Sequence, residues 1–375
     1  MIDRKLLLDS AGYVDYDGHI YAGSIICNSV FCLEKEKGTI ELIYIDDTVP
    51  YNTATFSKCA RIGNIMLFAP LYGRQLILYD VSNKKVTANA LGFLEDEYID
   101  MAKFWEVAVC GPKFYVLGHE IPGIIVVDSS SGEVSYFDDV FNCFTDKQEF
   151  FFMDGYALID KALFFAGFVD ATLIRFDTDT NSAKAIKISN KAFKPLSISG
   201  FQNEIWMTFC ERKAACCLIW NVETENSVEV IFPEEGKWFA PVFYEGWAYF
   251  FPADSESHLY RVSLDEHSIE LFDVLDRLFM NKSGNQILRD KFTQMVNLNG
   301  NRLLFIRFPD WAWIEYDFQT GKFSEKVYAI TDSSYVNKYY EDLYSSIYDS
   351  MTENNKCIDE KYIPLDAFLS KLREK

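Results

Sequence analysis

The 375-residue chain is 49% hydrophobic and 25% charged, an ordinary globular composition with enough apolar material for a large core. Its formal charge of −20 repels phosphate backbones and anionic headgroups, which argues against nucleic-acid and membrane-surface roles. Aromatic residues make up 16%, a bias toward pleated, half-buried surfaces.

The N-terminal stretch MIDRKLLLDSAGYVDYDG has three leucines in a row and then turns polar. It offers neither an apolar h-region nor a small-residue cleavage site, so no secretory signal is expected. No run approaches 18 apolar residues, so no membrane insertion is expected and the chain reads as cytoplasmic. Nine cysteines at irregular spacing, with Cys216 and Cys217 adjacent, fit buried thiols better than a disulfide framework.

Along the chain one pattern recurs: four mostly apolar residues, a polar anchor, a polar turn and a second strand. It appears in VFCLEKEKGTI (30–40), LILYDVSNKKV (76–86), VVDSSSGEVSYF (126–137) and LIRFDTDTNSA (173–183). It returns in CLIWNVETENS (217–227), LYRVSLDEHSI (259–269) and WIEYDFQTGKF (313–323). The anchors are Glu34, Asp80, Asp128, Asp177, Asn221, Ser263 and Asp317, spaced by 46, 48, 49, 44, 42 and 54 residues. One position before them stand Leu33, Tyr79, Val127, Phe176, Trp220, Val262 and Tyr316. Three before stand Phe31, Ile77, Ile125, Ile174, Leu218, Tyr260 and Ile314. All fourteen are apolar or aromatic, which is the period of two of a strand with one buried face.

A second hairpin precedes most anchors, with turns at Gly18, Gly63, Gly111, Gly246 and Gly300. Two hairpins per unit make four antiparallel strands, here called A to D. The A segments carry small residues (Ser57, Ala60, Ala108, Ser197, Ser199, Ala240), as crowding around an axis requires. The serines of DSSSG are therefore read as a turn between strands C and D. The other six turns do the same job without the run of three serines.

Seven such units resemble the seven-bladed β-propeller superfold, and VVDSSSGEV and EYDFQTGKF resemble the C–D turns of kelch-like and quinoprotein-like blades. The kelch double glycine, the Trp-Asp pair of WD40 blades, the quinoprotein tryptophan pattern and the sialidase Asp-box are absent. The resemblance implies an all-β chain: a propeller over 1–330 with blades near 5–46, 47–94, 95–140, 141–190, 191–233, 234–275 and 276–330. Closure is expected from packing of blade 7 on blade 1 without a shared strand.

In that arrangement the B–C loops and D–A connections surround one mouth of the channel, where binding is expected. The candidate ligand-binding residues are Tyr72, Arg74, His119, Glu120, Asp170, Arg212, Lys213, Trp238, Asp310 and Trp311. Their mix of acids, bases and aromatics suits a sugar or a peptide. His119 and Glu120 are the best acid–base pair for catalysis. No HExxH, CxxC, GxGxxG or P-loop pattern exists, so neither a metal nor a cofactor is expected. A short helix is expected within 273–292, from Leu275, Leu278 and Phe279. After residue 330 the period changes: Val336, Tyr340, Leu343, Tyr344, Ile347 and Met351 mark a helix, and a second is expected in 363–375. This tail, 331–375, is expected to pack on the propeller, covering a strand edge, or to dock a partner. Together these features point to a non-catalytic binding propeller for a protein or glycan. The competing expectation is a carbohydrate-active enzyme (hydrolase, lyase or epimerase) using the same mouth.

Overall fold

The computed structural model describes residues 6–7, 9–94, 98, 100–121, 123–138, 154–167, 172–188, 194–209, 216–253, 257–273, 292–307 and 312–354. It is a seven-bladed β-propeller. Seven four-stranded antiparallel sheets follow one another, each built from four consecutive strands. The blades run from Tyr13 through Ile45, Phe56 through Ala90, Phe104 through Phe137 and Ala157 through Lys187. The last three run from Pro195 through Ile231, Val242 through Leu271 and Phe292 through Val327.

All fourteen residues one and three places before the anchors are buried. The opposite face of each C strand is covered as well, because a neighbouring blade lies on it. Cys32, Leu78, Val126 and Ile219 are buried there. In blade 6 that face carries Arg261, which lies 4.1 Å over the Trp247 ring and bonds Glu270 at 2.6 Å. One apolar cluster sits at each of the seven blade junctions, the junction of blade 7 with blade 1 included. Each large side chain buried this way contributes about 1.5–3 kcal/mol.

Closure uses that last cluster and one further device. Blades 1 and 7 share no strand, but Leu6–Leu7 pairs antiparallel with Ala329–Ile330 in a separate two-stranded sheet. Leu6 and Ile330 then bury beside Tyr13 and Trp313, joining the segments that flank the first and last blades to the junction.

The anchors cap the C–D turns through their side chains. Asp80, Asp128, Asp177 and Asn221 each accept backbone N–H groups two and three residues on. At Asp128 the Ser130 hydroxyl and the N–H groups of Ser131 and Ser130 hold the carboxyl down at about 2. The serines of DSSSG therefore serve the turn. Four residues past every anchor the backbone is left-handed: Gly38, Lys84, Gly132, Asn181, Glu225, His267 and Gly321 have φ of 67, 51, 73, 52, 55, 54 and 62°. Only three of these seven are glycine, so four turns hold an L side chain in a costly conformation. Glu225→Gly is expected to raise stability by about 0.5–1 kcal/mol, since Glu225 is exposed and its turn bond is made by the backbone. Urea denaturation checks this, and an unchanged or lower midpoint refutes it.

After the last blade, α1 (Ser333–Asn354) begins at Asp332, whose carboxylate accepts the N–H groups of Ser334 and Tyr335. Its Tyr335 and Val336 are buried at the junction of blades 7 and 1. The Tyr335 hydroxyl donates to Asn28 at 2.8 Å, and the Tyr51 N–H donates to Asp342 at 2.7 Å. The helix thus sits on the B–C loop and the D–A connection of blade 1, on the mouth face rather than along a strand edge. The segment 274–291 and the second tail helix lie outside the described residues.

Candidate functional site

The inner strands leave a cavity of roughly 400 Å³ on the axis. Small residues make the room: Gly12, Ala60, Gly155, Ser199 and Ala240 line it, with Tyr156, Phe239 and Pro241 in the same wall. Into this wall blades 2, 3 and 4 each send one charge. Lys58 Nζ lies 2.7 Å from Glu106 Oε2 and 2.5 Å from Asp154 Oδ1. The Gly155 N–H also donates to Glu106 Oε2 at 3.0 Å, and the Trp105 indole N–H donates to Asp154 Oδ1 at 2.9 Å.

Local backbone irregularity helps to aim these groups. The pairing of strands A and B slips between Phe56 and Cys59 in blade 2 and between Phe104 and Glu106 in blade 3. Such bulges let two residues oppose one and redirect the side chains beside them. Ser57 and Lys58 fall in the first bulge, Trp105 in the second. Gly12 packs against Lys58, since a Cβ there would lie 3.0 Å from the lysine Cγ. Its missing side chain therefore leaves room for the lysine stem.

The electrostatics follow from this placement. Burial alone would lower the Lys58 pKa, but Asp154 and Glu106 outweigh it and the ammonium is held above its ordinary value. Glu106 is raised, first by burial and then by Asp154, against the pull of Lys58. Tyr156 is pushed up to about 12 by burial and by Glu106. With Lys58, Glu106 and Asp154 ionised, the cluster carries one net negative charge.

Above the cavity the sequence candidates divide. Tyr72 and Arg74 are exposed on the B–C loop of blade 2. Next to them Lys103 is buried, with Nζ 3.3 Å from the Met101 carbonyl. Burial draws its ammonium down to about 8, against Asp100 and with the help of Arg74. His119 and Glu120 are half-buried and tie the B–C loop of blade 3 to the chain entering it. Their N–H groups donate to the Lys103 and Ala102 carbonyls, and the Glu120 carboxylate accepts the Ala102 N–H at 2.6 Å. The His119 ring lies 5.7 Å from that of Trp105, so the rim touches the axial cluster through one tryptophan.

Trp238 is 2% exposed; it stacks on Phe232 at 4.3 Å and donates its N–H to the His258 carbonyl. His258 in turn faces Glu234, with Nδ1 2.8 Å from Oε2. Asp170, Arg212, Lys213, Asp310 and Trp311 lie outside the described residues. Among the described residues no cluster of three or more His, Cys, Asp or Glu could hold a metal. No described helix is long and apolar enough to cross a membrane.

Sequence reasoning missed Lys58 and Asp154. A usable signal exists. Counting back 22 residues from Glu34, Asp80 and Asp128 lands on Gly12, Lys58 and Glu106. From Asp177 the same count lands on Gly155, one residue past Asp154. Charges at one level of successive A strands meet at the axis.

No protein-family model matches the chain, and no curated protein matches it. Solved structures do. A chain of a mitotic checkpoint complex aligns at 10% identity over 87% of each chain, with a TM-score of 0.57. The dihydro-heme d1 dehydrogenase NirN in complex with DHE aligns at 11% identity over 87% of this chain and 66% of its own, TM-score 0.55. A computationally designed protein aligns at 10% identity over 86% and 90%, TM-score 0.55. At such identities the likeness extends to the fold alone, and one fold hosts many activities.

Proposed function

We propose that this chain is a non-catalytic binding propeller that receives a protein or glycan at the channel-mouth face. The observation that carries this reading is the mutual engagement of the charged groups there. Lys58 is held by two carboxylates, and Asp154 is held by Trp105 as well. Glu120, one half of the expected acid–base pair, serves a backbone N–H. That bond draws Glu120 away from acid–base work at the rim, and a preorganised polar throat beneath an exposed aromatic and arginine rim suits recognition.

The test is capture on the immobilised full chain, from native-host lysate and from a glycan array. The wild type is compared with Tyr72→Ala/Arg74→Glu and with Lys161→Glu, an exposed change at the opposite end of the blades. The rim double variant is expected to lose at least nine-tenths of the captured ligand and Lys161→Glu none. Equal capture by all three overturns the assignment of the face. Turnover of the captured glycan overturns the non-catalytic reading.

A further inference from the structure

We propose that the axial cavity is a subsite for an organic cation, a primary ammonium or guanidinium group, held by Glu106 and Asp154. The proposal rests on the binding reading above and names the ligand chemistry of that same site. Three observations carry it.

The first is the balance of charge and hydrogen-bonding capacity. One ammonium serves two carboxylates, through Glu106 Oε2 and Asp154 Oδ1. Among the described residues no donor reaches Glu106 Oε1 or Asp154 Oδ2. Neither oxygen is sealed from solvent, and both residues line the cavity. Two acceptors of one net negative charge are therefore presented inside a walled space. An anion entering there would meet both carboxylates, in a chain whose formal charge is −20.

The second is size and wall. Roughly 400 Å³ lies within the ordinary range of small-ligand sites and is far more than a bare ion fills. Tyr156, Phe239, Pro241 and Val242 stand in the same wall, which favours a cation with an alkyl stem.

The third is the donor set itself. Calcium takes six to eight oxygens and tolerates no ammonium among them, and the described wall offers two free carboxylate oxygens beside Lys58. A second ammonium or guanidinium needs only two or three acceptors, and a bidentate guanidinium matches a pair of oxygens.

Calorimetry on the full chain tests this with n-butylammonium, n-butylguanidinium and the neutral isostere n-butanol. A blocked tripeptide with a central lysine separates a partner's side chain from a free amine. The cations are expected to bind at least tenfold more tightly than n-butanol. Glu106→Gln and Asp154→Asn are each expected to weaken the cations at least tenfold while leaving n-butanol unchanged. Binding of the tripeptide as well as butylammonium assigns the site to a partner's side chain, and binding of butylammonium alone assigns it to a free amine. Indistinguishable binding of butylammonium and n-butanol by the wild type, or no heat from either, overturns the proposal. So does full cation affinity in whichever variant folds. If the cations fail while capture remains sensitive to Tyr72 and Arg74, the subsite falls and the binding face stands.

Discussion

Lys58→Met is expected to destabilise the protein by about 3 kcal/mol at pH 7, and by clearly less at pH 5. The side chains of Lys58, Glu106 and Asp154 are 16, 9 and 14% exposed, so the pair is neither at the surface nor fully dry. Removing one partner of a buried pair costs about 3–5 kcal/mol, because the charge left behind is uncompensated; residual solvent access places this case at the lower end. The pH dependence follows from Glu106. Its folded-state pKa is already raised, and without Lys58 it rises further. An acid with a raised folded pKa destabilises the fold while ionised, and the penalty fades as pH falls through the folded value. The variant therefore recovers on acidification. Lys58 has the opposite sense: its contribution is complete below the unfolded value of about 10.4 and is lost only as pH climbs past the raised folded value. Urea denaturation of both proteins at pH 7 and pH 5 measures the effect. A loss below about 1 kcal/mol, or an equal loss at both pH values, contradicts the electrostatic account. Lys58→Met/Glu106→Gln should recover much of the loss, as a double-mutant cycle would report.

The repeat was legible because it is written in residue types. An apolar residue at the anchor minus one and minus three, in seven copies, has no other economical packing than seven equivalent strands. The closing pair Leu6–Leu7 with Ala329–Ile330 was not legible, since a two-residue pairing between distant segments leaves no period. The placement of α1 was half legible. The helical spacing of Val336 and Tyr340 was plain, but its seat depends on Asn28 and Tyr51, about 300 residues away in sequence. The axial cluster was harder still. Each of Lys58, Glu106 and Asp154 looks like an isolated charge in its own blade. Only the closed ring turns two equivalent positions, Lys58 and Glu106, and the neighbour of a third, Asp154, into one site, so the information lies in comparing blades at nearly fixed offset rather than in any local motif. The rim candidates show the reverse: Glu120 and Trp238 had the residue types of a site, yet their polar atoms hold neighbouring loop backbone.

Gly155→Ala should cost about 3–4 kcal/mol and disturb the axial cluster with it, far more than Gly132→Ala. Both glycines have positive φ, 86° and 73°, so both variants carry the backbone penalty of about 1 kcal/mol or slightly more. They differ in surroundings. A Cβ on Gly132 meets nothing within 4 Å, whereas one on Gly155 would lie 2.0 Å from the Ile198 carbonyl oxygen. That oxygen belongs to the inner strand of the next blade. The Asp154 carbonyl accepts the Ile198 N–H at 2.9 Å, and Asp154 bridges Ser197 in parallel, so the two strands cannot part without losing both contacts. The Gly155 N–H also supports Glu106 Oε2. Relief of the clash must therefore move Asp154, and with it the ion pair to Lys58 and the bond from Trp105. The same substitution should weaken butylammonium binding even at temperatures where the variant remains folded. Paired urea melts with calorimetry on the folded fraction decide the matter. Equal stability losses for Gly155→Ala and Gly132→Ala would show that the close approach of blades 4 and 5 does not hold the site in place.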